Sequence, residues 1–306
     1  MKIAVFYPTG IWGCAWSCQQ GLVTTLQNLG ADVLDCPVDL GEPATTRLPD
    51  FEVLECADLV MVSAIEYMFP HIERKYGYRW FSNIAPKAIN LYTESLHRDD
   101  THWNHEALGK FAKLQVFPAA QDAREARGYY LPFGVDTEMF YPEPTTQATI
   151  DVGFIGTLYS KRVGYMERIG YPISHVAAPV ERVNGIYEVR QGTHNLRHCY
   201  NIMKIFVNLP ALSRLLVTKI TEVMACGTFL LTPMLDHPSA LENMDIFNNE
   251  SELVYYRADD PRTCGHLIQW YLDHPEARER IADWGCQVVH EKYSLRKRLQ
   301  KILELV

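Results

Sequence analysis

The feature that most constrains this chain is an opening that occurs twice: an apolar run that stops at a glycine-bearing loop. KIAVFYPTG at residues 2–10 has it, and so does DVGFIGTLYS at 151–160. Apolar residues at successive positions need cover on both faces. A strand gains that in a parallel sheet flanked by helices. Two such openings in a chain of 306 residues predict two α/β units.

The rest of the chain repeats the alternation. Residues 14–29 carry helical spacing at Leu22, Leu26 and Leu29 with Gly30 as a stop, and ADVLDCPV follows as a second strand. ADLVMVSAI (57–65), KAINLYTES (87–95) and KLQVFPAA (113–120) supply three more. YPEPTTQATID (141–151) is rich in Pro and Thr and poor in apolar residues, so it reads as a linker belonging to neither core. Beyond it DVGFIG, ISHVAAPV, KIFVNLP, GTFLLTP and ELVYYR read as strands free of mid-strand proline, with NLRHCYNIM and TKITEVMAC as helices. The tail from Pro275 to Val306 is helical by periodicity, interrupted near Tyr293. The expected division is a Rossmann-like unit over 1–145, a second over 146–288, and a last helix over 289–306. Ligands of open parallel sheets bind at the carboxyl ends of the strands, so the loops after Phe6, Ile155, Leu209 and Leu231 are expected to line a cleft between the units.

Charge narrows the partners. A net charge of -8 repels nucleic acid and anionic membranes unless a local basic patch overrides it. YRWFSN (78–83), with Arg74 and Lys75 nearby, is the stretch that could form one. No apolar run approaches the roughly 20 residues that span a bilayer, and MKIAVFYPTG lacks a signal peptide's apolar segment. The expectation is a cytoplasmic protein. Its 8 cysteines are scattered, and Cys14 and Cys18 fit neither a zinc knuckle nor a redox CxxC, which leaves free thiols as the reading.

The loops carry the candidate chemistry. Gly156 lets backbone approach a ligand, the helix start that follows favours an anion, and Lys161 and Arg162 add positive charge, so a phosphate or diphosphate is the natural occupant. A purely structural strand-to-helix turn is the alternative. The first loop, YPTGIWGCAWS, offers Gly10 and Gly13 with Trp12 and Trp16, suited to an aromatic substrate wall or to the core. In KITEVMACG, Lys219 and Glu222 share a helix face while Ile220, Val223 and Met224 turn inward. They could be a solvated ion pair. Placed at the strand ends with Arg162 and Arg214, they could instead hold a diphosphate, with Glu222 accepting sugar hydroxyls.

At this point four stretches resemble GT-B-fold glycosyltransferases, specifically the family-4 retaining enzymes and the spore-maturation-protein-like transferases. LPFGVDTEMFYP (131–142) looks like the hinge "NGVD..F.P", DVGFIGTLYSKR like the "FVG" opening of the donor domain, and KITEVMACGTFLLT like "EAMACG.PVV.T". DHPEARERIADWGCQVVHEKYSLRKRL is similar to the closing helices. The resemblance implies two Rossmann-like domains facing across a cleft, with a C-terminal helix crossing back to the first. It also implies retaining transfer of a sugar from a UDP- or GDP-linked donor, with no cofactor and no metal. Glu222 matches the ribose-binding glutamate, Gly156 the donor-loop glycine, Arg162 a diphosphate-binding lysine, and Lys219 a basic residue of the spore-type relatives. Two positions depart: Arg214 stands where family 4 has a second glutamate, and Thr157 where it has an arginine.

Charge builds on the departing diphosphate, so Arg162, Lys219, Arg214 and the amides near Gly156 and Thr157 are the expected donor and catalytic groups, with Gly10 and Gly13 on the opposite side. A general base, if one is needed, is sought in LYTESLHRDDTHWNHE, where Glu94 and His97 are the candidates. His97, His102 and His105 with Asp99 and Asp100 also admit a metallohydrolase, and the Arg214 substitution admits a non-catalytic sugar- or nucleotide-binding module. The acceptor is open: a saccharide, a protein, a small molecule or modified DNA.

Overall fold

A computed structural model of the chain describes residues 1–9, 16–39, 48–94, 96, 111–176, 182–183, 186–187, 189–210, 216–234 and 246–306. The chain forms two compact units, Met1–Gly134 with Leu295–Val306, and Val135–Ser294.

The first unit opens with β1 (Lys2–Thr9), a 3-10 turn at Trp16–Cys18, α1 (Gln20–Asn28) and β2 (Asp32–Asp39). It continues through α2 (Phe51–Glu55), β3 (Leu59–Ser63), α3 (Ile65–Tyr76), β4 (Ala88–Leu91), β5 (Leu114–Phe117), α4 (Ala120–Glu125) and β6 (Tyr129–Tyr130). All six strands pair in parallel in the order β2-β1-β3-β4-β5-β6. Val60, Met61 and Val62 of β3 are all fully buried, which answers the unbroken apolar run. Pro37 sits in β2, an edge strand, where its missing donor costs no ladder bond on the open side.

The second unit contains β7 (Ile150–Ile155), α5 (Ser160–Ile169), β8 (Ser174–Val176), a short antiparallel pair β9 (Arg182–Val183) and β10 (Ile186–Tyr187), and α6 (Val189–Asn201). Then come β11 (Met203–Val207), α7 (Thr218–Ala225), β12 (Phe229–Met234), β13 (Val254–Arg257), α8 (Pro261–Asp273) and α9 (Pro275–Lys292). Its main sheet is parallel in the order β13-β12-β11-β7-β8. The last helix, α10 (Leu295–Glu304), lies on the first unit, where Leu295, Leu299 and Ile302 are buried with Ile3, Val5 and Met61. The break between α9 and α10 falls at Tyr293 and Ser294.

Three sequence readings change. NLRHCYNIM does not stay helical to its end: α6 stops at Asn201, because Met203 enters β11 and pairs with Ile150. GTFLLTP does not end at its proline but runs on to Met234. Pro233 stands inside β12, two positions beyond Leu231, the last residue paired with β11, and opposite Tyr256 on the β13 side. The stretch 141–151 is anchored rather than free. Glu143 takes bonds from Arg197 Nε at 2.7 Å and His198 Nδ1 at 3.0 Å, and its amide donates to Asn201 Oδ1 at 2.7 Å. Burial raises the Glu143 carboxyl, but these partners outweigh it and pull the group down to about 2.

Candidate active site

In the second unit the strand order reverses between β7 and β11: from β7 the chain moves outward to β8, and from β11 to β12 and β13. The carboxyl ends of these two strands therefore diverge into loops on opposite faces and leave a crevice. Gly156 follows β7 there at φ 151°, a conformation L side chains rarely adopt. A Cβ at this position would lie 3.0 Å from Lys219 Nζ and 2.9 Å from the Phe154 ring. The glycine is thus a consequence of two cations converging on the loop.

Arg162, in the first turn of α5, is buried and donates to Thr157 O at 2.7 Å and to Pro210 O at 3.3 and 3.4 Å. Tyr159 Oη donates to the same Pro210 carbonyl at 3.1 Å, so the loops after β7 and β11 are tied together. Lys219 Nζ donates to Ile155 O at 3.0 Å. Both cations lean on the Phe154 ring, at 5.1 and 5.3 Å from its centre. Their hydrogen-bond partners are carbonyl dipoles, not carboxylates. Burial first, then repulsion from Arg162, pushes the Lys219 ammonium down to about 8. Lys161, the neighbouring cation, is exposed.

Glu222 does not form the surface ion pair with Lys219 that the spacing allows. It is 3 % exposed, and burial raises its carboxyl to about 7 against the bond from Tyr200 and the charge of Lys219. Tyr200 Oη donates to Glu222 Oε2 at 3.1 Å, while Oε1 accepts no hydrogen bond among the described residues. The helix carrying Lys219 and Glu222 ends at Ala225, and Gly227, two residues on, takes a left-handed φ of 69° that turns the chain into β12. Pinned strand ends hold the site's other wall: Asn208 Nδ2 donates to Thr232 Oγ1 at 3.0 Å, and Tyr256 Oη to Asn208 O at 2.6 Å. His175, in the middle of β8, meets Gly156 O through Nε2 at 2.9 Å.

The structure thus gathers Gly156, Thr157, Arg162, Lys219 and Glu222 at one switch point. Glu94 lies in the first unit, after β4, where its amide donates to Glu66 Oε1 at 2.8 Å. Gly10, Gly13, His97 and Arg214 lie outside the described residues, as do Trp12, Asp99, Asp100, His102 and His105. Trp16 is core, 5 % exposed. In the stretch 78–83 Trp80 is buried, while Arg79 pairs with Glu52 at 3.3 Å and covers Phe51. Among the described residues no cluster of three or more metal-type ligands occurs, and no helix is long and apolar enough to cross a membrane. Sequence reasoning missed Tyr200, His175 and Glu66. Each sits in an unremarkable apolar or polar run, and only Glu66, directly after a strand, carried a positional hint.

A family model described as "Glycosyl transferase-like" matches residues 164–304, a little under half of the chain. No curated protein matches it in sequence. Among solved structures, sucrose-phosphate synthase from Thermosynechococcus elongatus is similar at TM-score 0.66 and 12% identity, covering 99% of this chain and 98% of that one. HepE from Anabaena, in complex with UDP and glucose, is similar at TM-score 0.67 and 13% identity with the same coverages of 99% and 98%. An alpha-glucosyltransferase in complex with UDP and a 13-mer DNA is similar at TM-score 0.64 and 11% identity, over 100% of this chain and 99% of that one. The fold is GT-B. Residues 164–304 match a glycosyl transferase-like domain.

Proposed function

We propose that the second unit binds a UDP-linked sugar and that the protein transfers this sugar, with retention and without a metal ion, to a hydroxylated acceptor. The observation that carries the reading is the pair Arg162 and Lys219, a buried and a half-buried cation beside Gly156, bonded only to carbonyl oxygens. No carboxylate is hydrogen-bonded to either cation, and a diphosphate supplies negative charge to both. The retaining course rests on the resemblance to family-4 enzymes. Uridine as the base rests on the neighbours solved with UDP.

In this mechanism the bond between sugar C1 and the diphosphate oxygen breaks while negative charge grows on the leaving group. Arg162 and Lys219 stabilise that charge more as it grows, which lowers the barrier rather than merely improving binding. They supply the positive charge that a metal would otherwise bring. The amides after Gly156 and the start of α5 add dipoles of the same sign. Glu222 Oε1 accepts from the ribose hydroxyls, with Oε2 steadied by Tyr200. Thr157 contributes through its backbone, and Arg214, Gly10 and Gly13 complete the expected donor set. Glu94 and His97 remain the candidates for receiving an acceptor proton.

UDP should raise the melting temperature by several degrees, because a ligand that binds only the folded state stabilises it by mass action. Glu222→Ala should abolish most of the shift. UDP-glucose turnover that persists in EDTA, giving an α-linked product by NMR, completes the test. A UDP titration without any shift, or a Glu222→Ala protein that shifts like wild type, overturns the donor site. Turnover lost in EDTA overturns metal independence, a β-linked product overturns retention, and UDP binding with no turnover on any acceptor favours a binding module instead.

A further inference from the structure

Three successive carbonyls after β7 are each held by a side chain from a different element. Ile155 O takes Lys219 Nζ of α7 at 3.0 Å, Gly156 O takes His175 Nε2 of β8 at 2.9 Å, and Thr157 O takes Arg162 Nη1 of α5 at 2.7 Å. Two of these side chains are the cations of the donor site. The third, His175, carries no role there, although its bond falls on the same loop.

The carbonyl of Gly156 and the amide of Thr157 belong to one planar trans peptide and point in opposite directions. His175 stands opposite Phe154 on β8, which flanks β7 on the side away from β11. Drawing the carbonyl toward β8 therefore turns the Thr157 N–H toward the β11 side, where the crevice lies. That amide makes no hydrogen bond among the described residues. Gly156, at φ 151°, leaves the peptide that follows it freer to rotate than a residue with a Cβ would. A pin on the carbonyl selects one orientation.

The pin is itself fixed. The His175 ring lies 6.0 Å from the Phe154 ring at an interplanar angle of 29°, and Phe154 carries Arg162 and Lys219 at 5.1 and 5.3 Å. A carbonyl only accepts, so Nε2 bears a proton in this bond, and Nδ1 has no partner among the described residues. The donation is the same from a neutral ring and a charged one.

We propose that His175 is a positioning residue for the donor: it turns the Thr157 amide to the diphosphate, where an N–H joins the charges of Arg162 and Lys219. The role rests on the donor reading of the second unit. His175 acts through the peptide and touches no donor atom. It serves the diphosphate, not the base.

The test is calorimetric binding of UDP and of uridine to the full chain and to two variants of it. His175→Phe keeps a ring against Phe154 and loses the donating nitrogen, while His175→Gln keeps an N–H at similar reach. His175 is exposed, so neither change opens a cavity. His175→Phe should bind UDP about fivefold more weakly, the effect of one hydrogen bond, with His175→Gln within about twofold of wild type. Uridine, which lacks phosphate, should bind all three proteins alike. Unchanged UDP affinity in His175→Phe, equal losses in both variants, or a uridine loss as large as the UDP loss overturns the proposal. Should His175→Phe not fold, His175→Ala is read in its place with the same outcomes. Wild-type protein that binds no UDP overturns the donor reading and this role together, whereas wild-type affinity matched by His175→Phe overturns this role alone.

Discussion

Tyr200 Oη donates to Glu222 Oε2 at 3.1 Å, and the two residues come from α6 and α7, on either side of β11 in the chain. This bond fixes one carboxylate oxygen and leaves the other for a ligand. It also opposes the burial that raises Glu222 to about 7. Tyr200→Phe should keep the fold, since the ring still fills its site against Phe206 and Phe140. UDP affinity should fall about fivefold, the worth of one hydrogen bond of about 1 kcal/mol, as measured by calorimetry.

Gly156→Ala places a methyl group 3.0 Å from Lys219 Nζ in a conformation that disfavours it. Urea unfolding should show a loss of about 1–3 kcal/mol, and UDP binding should weaken by more than tenfold. A stable Gly156→Ala protein with intact UDP affinity would show that the close approach at this loop is not required.

Lys219 is held charged where burial and Arg162 disfavour charge, which is why its pKa falls to about 8 from 10.5. The cost is present at pH 7 and fades only as pH rises from about 8 toward 10.5, where the folded protein sheds its proton before the unfolded chain does. Lys219→Met should therefore leave the ligand-free protein as stable at pH 7 or about 1 kcal/mol more stable, while UDP binding drops at least tenfold. A stability loss with unchanged UDP binding would make Lys219 structural.

Glu66 and Glu222 are both raised by burial, to about 7 from 4.5. Between those values the folded protein keeps protons that the unfolded chain has released. Each group's contribution is complete below pH 4.5 and is lost as pH rises through 7, by on the order of 3 kcal/mol. Glu94 and Tyr92 are the other titratable groups coupled to Glu66. Urea unfolding from pH 5 to 8 should show stability falling, with a shallower slope for Glu66→Gln.

The strands of both units were legible because a run such as LVMVS or VGFI must be apolar on both faces to lie in a covered parallel sheet, and Leu59–Ser63 and Ile150–Ile155 are so placed. The two-residue β6 is too short to carry a pattern, and the end of α6 was misread because Met203 is apolar in either state. The spacing of Lys219 and Glu222 fixed only a shared helix face; the expectation of a donor site came from their place after a strand end and from the resemblance of the motif.

Sequence by itself determined the two-unit α/β plan, the glycines and the cations of the donor loop, because periodicity, turn chemistry and charge are properties of neighbouring residues. Only tertiary structure decided which cations turn inward, with Arg162 buried and Lys161 exposed, and that Glu222 answers to Tyr200 rather than to Lys219. It alone set the Arg298 guanidinium 5.5 Å from the centre of the Phe133 ring, far back along the chain. Burial and partnership depend on residues distant in sequence, and those set the pKa values and the unmet hydrogen bonds from which chemistry follows.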